Sequence, residues 1–184
     1  MNAELTFDKA ITLSANLIEA IDAGQITAAE ALAPLNEIMQ STNGARGFFV
    51  SLLTGDSAFS ENIPDELVTA CKNNSEIVYD LLAKNAVMSS CTAYQHLQSG
   101  DPESAGKSAA VAKKSLAIIN KLNCAGMKST MEAMISAIEN KIGPNSESGA
   151  VDESLHYAPF LARWRYSNEQ LDHARSIIAQ GQQA

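Results

Sequence analysis

The stretch SGDPESAGKSA (Ser99–Ala109) decides between two fold classes for this chain of 184 residues. Its Gly-Lys-Ser element is typical of a phosphate-binding loop, which follows a buried strand and needs four residues between its two glycines. Here five residues separate Gly100 from Gly106. Asp101 and Glu103 would also place negative charges beside the negative phosphates, which is the wrong sign.

The same stretch is fully explained as a boundary between two helices. Gly100 is suited to ending one helix, Asp101 to capping the next, and Pro102 to its first position. Glu103 lies in the first turn, where the positive end of the helix dipole favours an acid. We therefore predict a helix start here and no nucleotide-binding loop.

Helical periodicity continues outward from this boundary in both directions. Apolar residues recur at helical spacing, and no segment shows the strict alternation of a half-buried strand. Helices are predicted at 4–23, from Thr27, at 45–53, from Pro64, at 75–98, 102–122 and 125–142, and from Ser167. The fold class predicted is all-α, a single helical bundle of seven to nine helices. We expect one domain over residues 1–184, with a flexible linker at 143–153 before the C-terminal helices.

The composition excludes several classes of protein. No apolar run approaches the roughly 20 residues that span a bilayer, and the N-terminal segment does not have the charge pattern of a secretory signal. Three cysteines, Cys71, Cys91 and Cys124, lie far apart and form no CxxC pair. Such spacing favours reduced thiols over disulfides or a zinc site, so we expect a cytoplasmic protein without membrane contact.

The charge distribution argues against nucleic acid as a partner. The net charge is −8, and the first 70 residues hold ten acidic residues against two basic ones, which accounts for all of it. A nucleic-acid-binding protein normally concentrates basic residues on one face. The three histidines, His96, His156 and His173, form no metal-binding motif, and no nucleophile motif is present. We therefore assign no catalytic residue, metal or cofactor, and we leave enzymatic activity open while favouring its absence.

The stretch NGARGFF (residues 43–49) isolates Arg46 between two glycines and two phenylalanines. An arginine flanked by small residues could bind a carboxylate or phosphate. Tyr79 and Tyr94 are further ligand-binding candidates if folding brings them near Arg46. Alternatively, Arg46 pairs with a nearby acid while Phe48 and Phe49 fill the core. The sequence favours the structural alternative.

The stretch PFLARWRYS (residues 159–167) combines aromatic residues with arginine, the chemistry of interface anchors. The candidate interface residues are Phe160, Arg163, Trp164, Arg165 and Tyr166. The same residue types also occur where a terminal helix docks its tryptophan onto a bundle. Between these alternatives the composition alone favours docking.

Three stretches carry a resemblance to a known family. GARGFFVSLLTGD, SEIVYDLLAKNAVMSS and FLARWRY followed by NEQ are similar to a family of short hypothetical proteins from cyanobacteria. The similarity runs in order over most of the chain and is weakest at 123–150. The resemblance implies a cytoplasmic, all-helical, single-domain protein, and it carries no catalytic residue over to this chain.

Two functions follow from these observations. The first is a non-enzymatic, protein-interaction or regulatory module that binds a protein partner or itself. The alternative is a helical bundle that binds a small ligand in its core, with an undetected enzymatic activity left open.

Overall fold

The computed structural model describes residues 5–143 and 156–181 of the chain. These residues form ten α-helices and no strand. The helices are α1 (Phe7–Asp22), α2 (Ala28–Met39), α3 (Thr42–Thr54), α4 (Ala58–Glu61), α5 (Asp65–Asn73), α6 (Ser75–Gln98), α7 (Pro102–Leu122), α8 (Ala125–Ile142), α9 (Ala158–Trp164) and α10 (Asn168–Gly181). Nine of them have at least seven residues. The all-α prediction is confirmed.

Side-chain caps start the helices where the sequence indicated. The Thr27 hydroxyl accepts the Glu30 N–H at 3.2 Å, and the Glu30 carboxylate accepts the Thr27 N–H at 2.8 Å. At the start of α7, the Asp101 carboxylate accepts the Ser104 N–H at 3.0 Å. Gly100 has a φ of +76°, the left-handed conformation that glycine adopts most easily. The stretch 99–109 is therefore the helix boundary that was predicted.

Several boundaries differ from the sequence-based ones for local reasons. Helix α3 begins at Thr42 because the Ser41 hydroxyl accepts the Gly44 N–H at 3.1 Å, which caps the helix three residues before the predicted start. Pro64 precedes α5 as its N-cap instead of lying in its first turn. The short helices α4 and α9 were not predicted, since neither contains enough turns to show a period.

The chain divides into two compact units, Met1–Leu82 and Ala83–Ala184, and the division falls within α6. In the first unit α1 packs on α3 and α2 packs on α5. Its core contains Phe48 and Phe49, as predicted, together with Leu52 and Leu53. An added Cβ at Gly47 would lie 2.5 Å from the Ala10 Cβ, so the absence of a side chain there sets the close approach of α1 and α3.

In the second unit α10 packs on α7 and α8, and α8 also packs on α9. Its core is aliphatic and methionine-rich, with fully or almost fully buried Leu122, Met127, Met131, Ile138, Leu161, Leu171 and Ile178. Among the described residues, no helix combines the length and apolarity needed to cross a bilayer. Within the segment predicted as a linker, 144–153 lie outside the described residues, and the single-domain assignment stays a prediction.

Candidate functional site

The end of α9 presents an ordered aromatic pair on the surface of the second unit. We call the four residues Arg163, Trp164, Arg165 and Tyr166 the C-terminal platform. The Trp164 side chain is 49% exposed, and its ring lies parallel to that of Tyr166, with 6.3 Å between centroids and 8° between planes. The hypothesis that Trp164 docks into the core is therefore wrong.

The backbone between the two rings holds an unusual conformation. Arg165 has a φ of +51° and terminates α9 as its C-cap. Glycine is the residue usually found in this left-handed conformation, because a Cβ costs about 1–2 kcal/mol there. An arginine at this position keeps a cationic side chain on the surface at a cost in backbone strain.

Hydrogen bonds fix both sides of the platform. The Lys141 ammonium donates to the Leu161 carbonyl of α9 at 3.1 Å. After the platform, the Ser167 N–H donates to the Gln170 side chain at 2.9 Å, and the Gln170 N–H donates to the Ser167 hydroxyl. The Gln170 amide also donates to the Cys91 carbonyl on α6 at 3.3 Å. The platform is thus held by α6 and α8 of its own unit.

The two aromatic rings differ in their environments. Tyr166 is more buried than Trp164 and forms the inner side of the pair, and this burial raises the pKa of its phenol above the ordinary value. Arg163 and Arg165 are exposed. Phe160 lies earlier on α9 and is half-buried, with the Lys84 ammonium 5.7 Å from its ring centroid.

A second feature of this unit is a groove of about 470 Å³, which we call the α7–α10 groove. Its walls are mostly small or aliphatic side chains of α6, α7 and α10, and Lys113 and His173 are its ionisable members. It is lined by Ser90, Ala93, Ala109, Ala112, Lys113, Leu116, Ala117, Asn120, His173, Ile177, Gln180 and Gly181. The Asn120 amide donates to the Gly181 carbonyl, which ties α7 to the end of α10.

The predicted ligand residues are distributed over both units. Arg46 is exposed on α3, with its guanidinium carbon 5.0 Å from the centroid of the Phe7 ring, a cation–π contact within the first unit. Tyr79 is buried on α6. Tyr94 is half-buried in the second unit, and its ring centroid lies 5.3 Å from that of His173 in the groove. A shared site for these three residues stays a prediction.

Sequence reasoning missed the groove residues. The sequence contains one local signal of the groove: Ala109, Ala112, Leu116 and Ala117 recur at helical intervals. Any packed helix face shows the same spacing, so this signal does not distinguish a groove. Within the described ranges, no three residues among the histidines, cysteines, aspartates and glutamates lie close enough together to hold a metal ion.

The fold and these two features define an all-α protein with an exposed aromatic–arginine platform and a mostly apolar groove. The chain belongs to the family described as uncharacterised conserved protein UCP020893, whose model matches residues 6–181. No curated protein and no solved structure matches the chain. Membership in a family of uncharacterised proteins agrees with the resemblance found in the sequence.

Proposed function

We propose that this protein is a non-enzymatic interaction module of the cytoplasm that binds an acidic protein surface through the C-terminal platform. The observation that supports this function is the half-exposed indole of Trp164, stacked on Tyr166 and flanked by two exposed arginines. We also propose the cyanobacterial origin that the resemblance implies.

A stacked, exposed tryptophan has the properties of a binding anchor. It offers a large apolar area with few rotatable bonds, so little conformational entropy is lost when a partner covers it. Tryptophan and arginine are the residue types most enriched among the side chains that dominate interface energetics. Since the stack and the hydrogen bonds of Gln170 already order this segment, the platform is organised before any partner binds.

The charge of the platform favours an acidic partner. Arg163 and Arg165 each offer a planar guanidinium that suits a carboxylate. The chain itself carries an excess of acidic residues, since its first 70 residues hold ten acids against two bases. A second copy of this protein is therefore a partner of the required chemistry, besides other acidic proteins.

The test measures self-association by sedimentation velocity and partner capture by affinity purification with quantitative mass spectrometry. The variants are Trp164→Ala and the double charge reversal Arg163→Glu, Arg165→Glu. Leu97→Ala is the matched control, because Leu97 is similarly exposed (55%) in the same unit and lies outside the acid-rich first 70 residues. Loss of an anchoring tryptophan should weaken association by roughly 30-fold. If the folded variants associate and capture partners as the wild type does, the platform is excluded as the binding surface.

The second function, binding of a small ligand among the helices, is supported by the α7–α10 groove rather than by Arg46. The guanidinium of Arg46 contacts Phe7 on the surface of the first unit, whereas the groove is a concave, mostly apolar space within the second unit. Any enzymatic activity of such a ligand-binding bundle remains part of this proposal and has no residue assigned to it.

A further inference from the structure

The α7–α10 groove is lined by one serine whose buried hydroxyl has no hydrogen-bond partner among the described residues. Ser90 lies on α6 with only 2% of its surface exposed, and it lines the groove. Its hydroxyl forms no hydrogen bond with the described part of the chain. A buried hydroxyl without a partner typically costs 1–3 kcal/mol, so such groups normally have a partner in the functional state.

A buried serine on α7 shows the usual solution. Ser115 is also fully buried, and its hydroxyl donates to the Val111 carbonyl one turn earlier, at 2.9 Å. A serine in a helix interior can satisfy itself in this way. Ser90 does not make this bond, and it lies at a cavity wall instead of in close-packed core.

We infer that the α7–α10 groove binds a small molecule with a hydrocarbon body and one uncharged hydrogen-bonding group, an alcohol or a carbonyl, which pairs with the Ser90 hydroxyl. This inference deepens the second proposed function and does not depend on the C-terminal platform. The buried group must be neutral, because an ion beside a 2% exposed serine among alanines would lose its hydration without a counter-charge.

The walls define the rest of the ligand. Ala93, Ala112 and Leu116 are at most 5% exposed and present only methyl and methylene groups to the groove. Methyl and methylene groups cannot hydrogen-bond a water molecule, which needs two to four polar partners to be held in a cavity. The volume of about 470 Å³ falls in the range of about 300–1,000 Å³ that is usual for small-molecule sites.

Several side chains that line the groove are polar or ionisable. Lys113 and Asn120 are exposed and therefore lie at the rim, and His173 is half-buried against Tyr94. A cationic rim would favour an anion over a neutral molecule only if the ligand's polar group bound there. The charge of the preferred ligand therefore distinguishes the two sites: a neutral ligand indicates a contact with Ser90, and an anion indicates a contact at the rim.

The experiment uses three probes with one shared ring system: 2-naphthylmethanol, 2-naphthoate and 2-naphthylmethylammonium. Binding to the full chain is followed by chemical-shift changes of backbone amides, which also locate the site. We expect the alcohol to bind most tightly and to shift amides of α7 and α10 at the groove. Binding to Trp164→Ala should be unchanged, so that failure of the platform and failure of the groove are separate results.

Two substitutions test the contacts directly. Ser90→Ala should weaken binding of the alcohol by about 3- to 10-fold and should leave the affinity for naphthalene unchanged. It should also leave the melting temperature of the ligand-free protein unchanged or higher, because it removes an unpaired buried hydroxyl. Ala109→Phe places a ring over the exposed edge of the groove and should abolish binding. Ala110→Phe is the matched control, since Ala110 is the next residue, is also exposed, and does not line the groove.

Three results would overturn the inference. The first is absence of any amide shift up to the solubility limit of the alcohol. The second is equal affinity of the alcohol for the wild type, Ser90→Ala and Ala109→Phe. The third is a preference for 2-naphthoate that is lost in Lys113→Ala, which would assign the polar contact to the rim instead of Ser90.

Discussion

Replacing Gly47 by alanine should destabilise the first unit, although alanine is the better helix former. The added Cβ would lie 2.5 Å from the Ala10 Cβ and 2.8 Å from the Ile11 backbone nitrogen. Carbon atoms in contact are normally about 3.5–4.0 Å apart, so α1 and α3 would have to separate by roughly 1 Å. The clash involves backbone, which cannot rotate away as the end of a flexible side chain can.

The magnitude follows from two opposing contributions. Overpacking a core costs about 1–3 kcal/mol, and a clash with backbone atoms belongs at the upper end of that range. Alanine recovers up to about 1 kcal/mol through its higher helix propensity. The free energy of unfolding should therefore fall by about 2 kcal/mol.

Gly106 provides the matched control for this substitution. It also lies inside a helix, α7, but an added Cβ there would meet no atom within 4 Å. Gly106→Ala should raise the free energy of unfolding by about 0.5–1 kcal/mol, through propensity alone. The two identical substitutions should thus have opposite signs.

Urea denaturation followed by circular dichroism measures both variants. Since Gly47 and Gly106 belong to different units, amide hydrogen exchange in α3 and α7 identifies which helices change in stability. A Gly47→Ala protein at least as stable as the wild type would refute the reasoning, because it would mean that α1 and α3 do not approach as closely as the structure shows.

Three further predictions test other features of the molecule. Burial raises the pKa of Cys71 and Cys91 to about 12, so only about one thiol in ten thousand is ionised at pH 8; pulsed alkylation with peptide mass spectrometry should label half-buried Cys124 well before either. Hydrogen bonds from Ser104 lower the pKa of the Asp101 carboxyl, so its capping contribution is present above its unfolded pKa and is lost as the pH falls through the lower folded value; Asp101→Asn should reduce the acid sensitivity of α7 in hydrogen exchange, and an unchanged pH profile would exclude this cap. Residues 99–109 form a helix boundary instead of a phosphate-binding loop, and Lys107 pairs with Glu103 at 2.6 Å on the exposed side of α7. Calorimetric titration should therefore detect no ATP or GTP binding, and Lys107→Ala should leave partner capture intact; nucleotide binding that is lost in Lys107→Ala would contradict this prediction.

Three helices were predicted to the residue: α6 (75–98), α7 (102–122) and α8 (125–142). Helices α7 and α8 match their predicted bounds, 102–122 and 125–142, because a capping aspartate with proline starts α7 and a left-handed Asn123 separates the two. Helix α9 was missed, since its seven residues hold fewer than two full turns of pattern. Its stop at Arg165 also lacks the glycine that would have marked it.

The candidate site could be predicted only in its composition. The sequence identified the residues of the C-terminal platform, but it could not decide whether Trp164 lies in the core or on the surface. Aromatic residues with arginine serve both purposes, and the exposure of Trp164 depends on how α9 packs on α8, a contact between distant parts of the chain.

Small residues on helix faces have opposite consequences in the two units, and this explains why the groove was not predicted. At Gly47 the facing helix α1 approaches until no Cβ fits, so the small residue produces close packing. At Ala109 and Ala117 the small residues remain exposed, because no helix of the described ranges 5–143 and 156–181 covers them, and a concave surface results. Both patterns look alike in the sequence, since each is a small residue at helical spacing. Only the distance to the facing helix distinguishes a packing contact from a binding site, and that distance is a property of the folded chain.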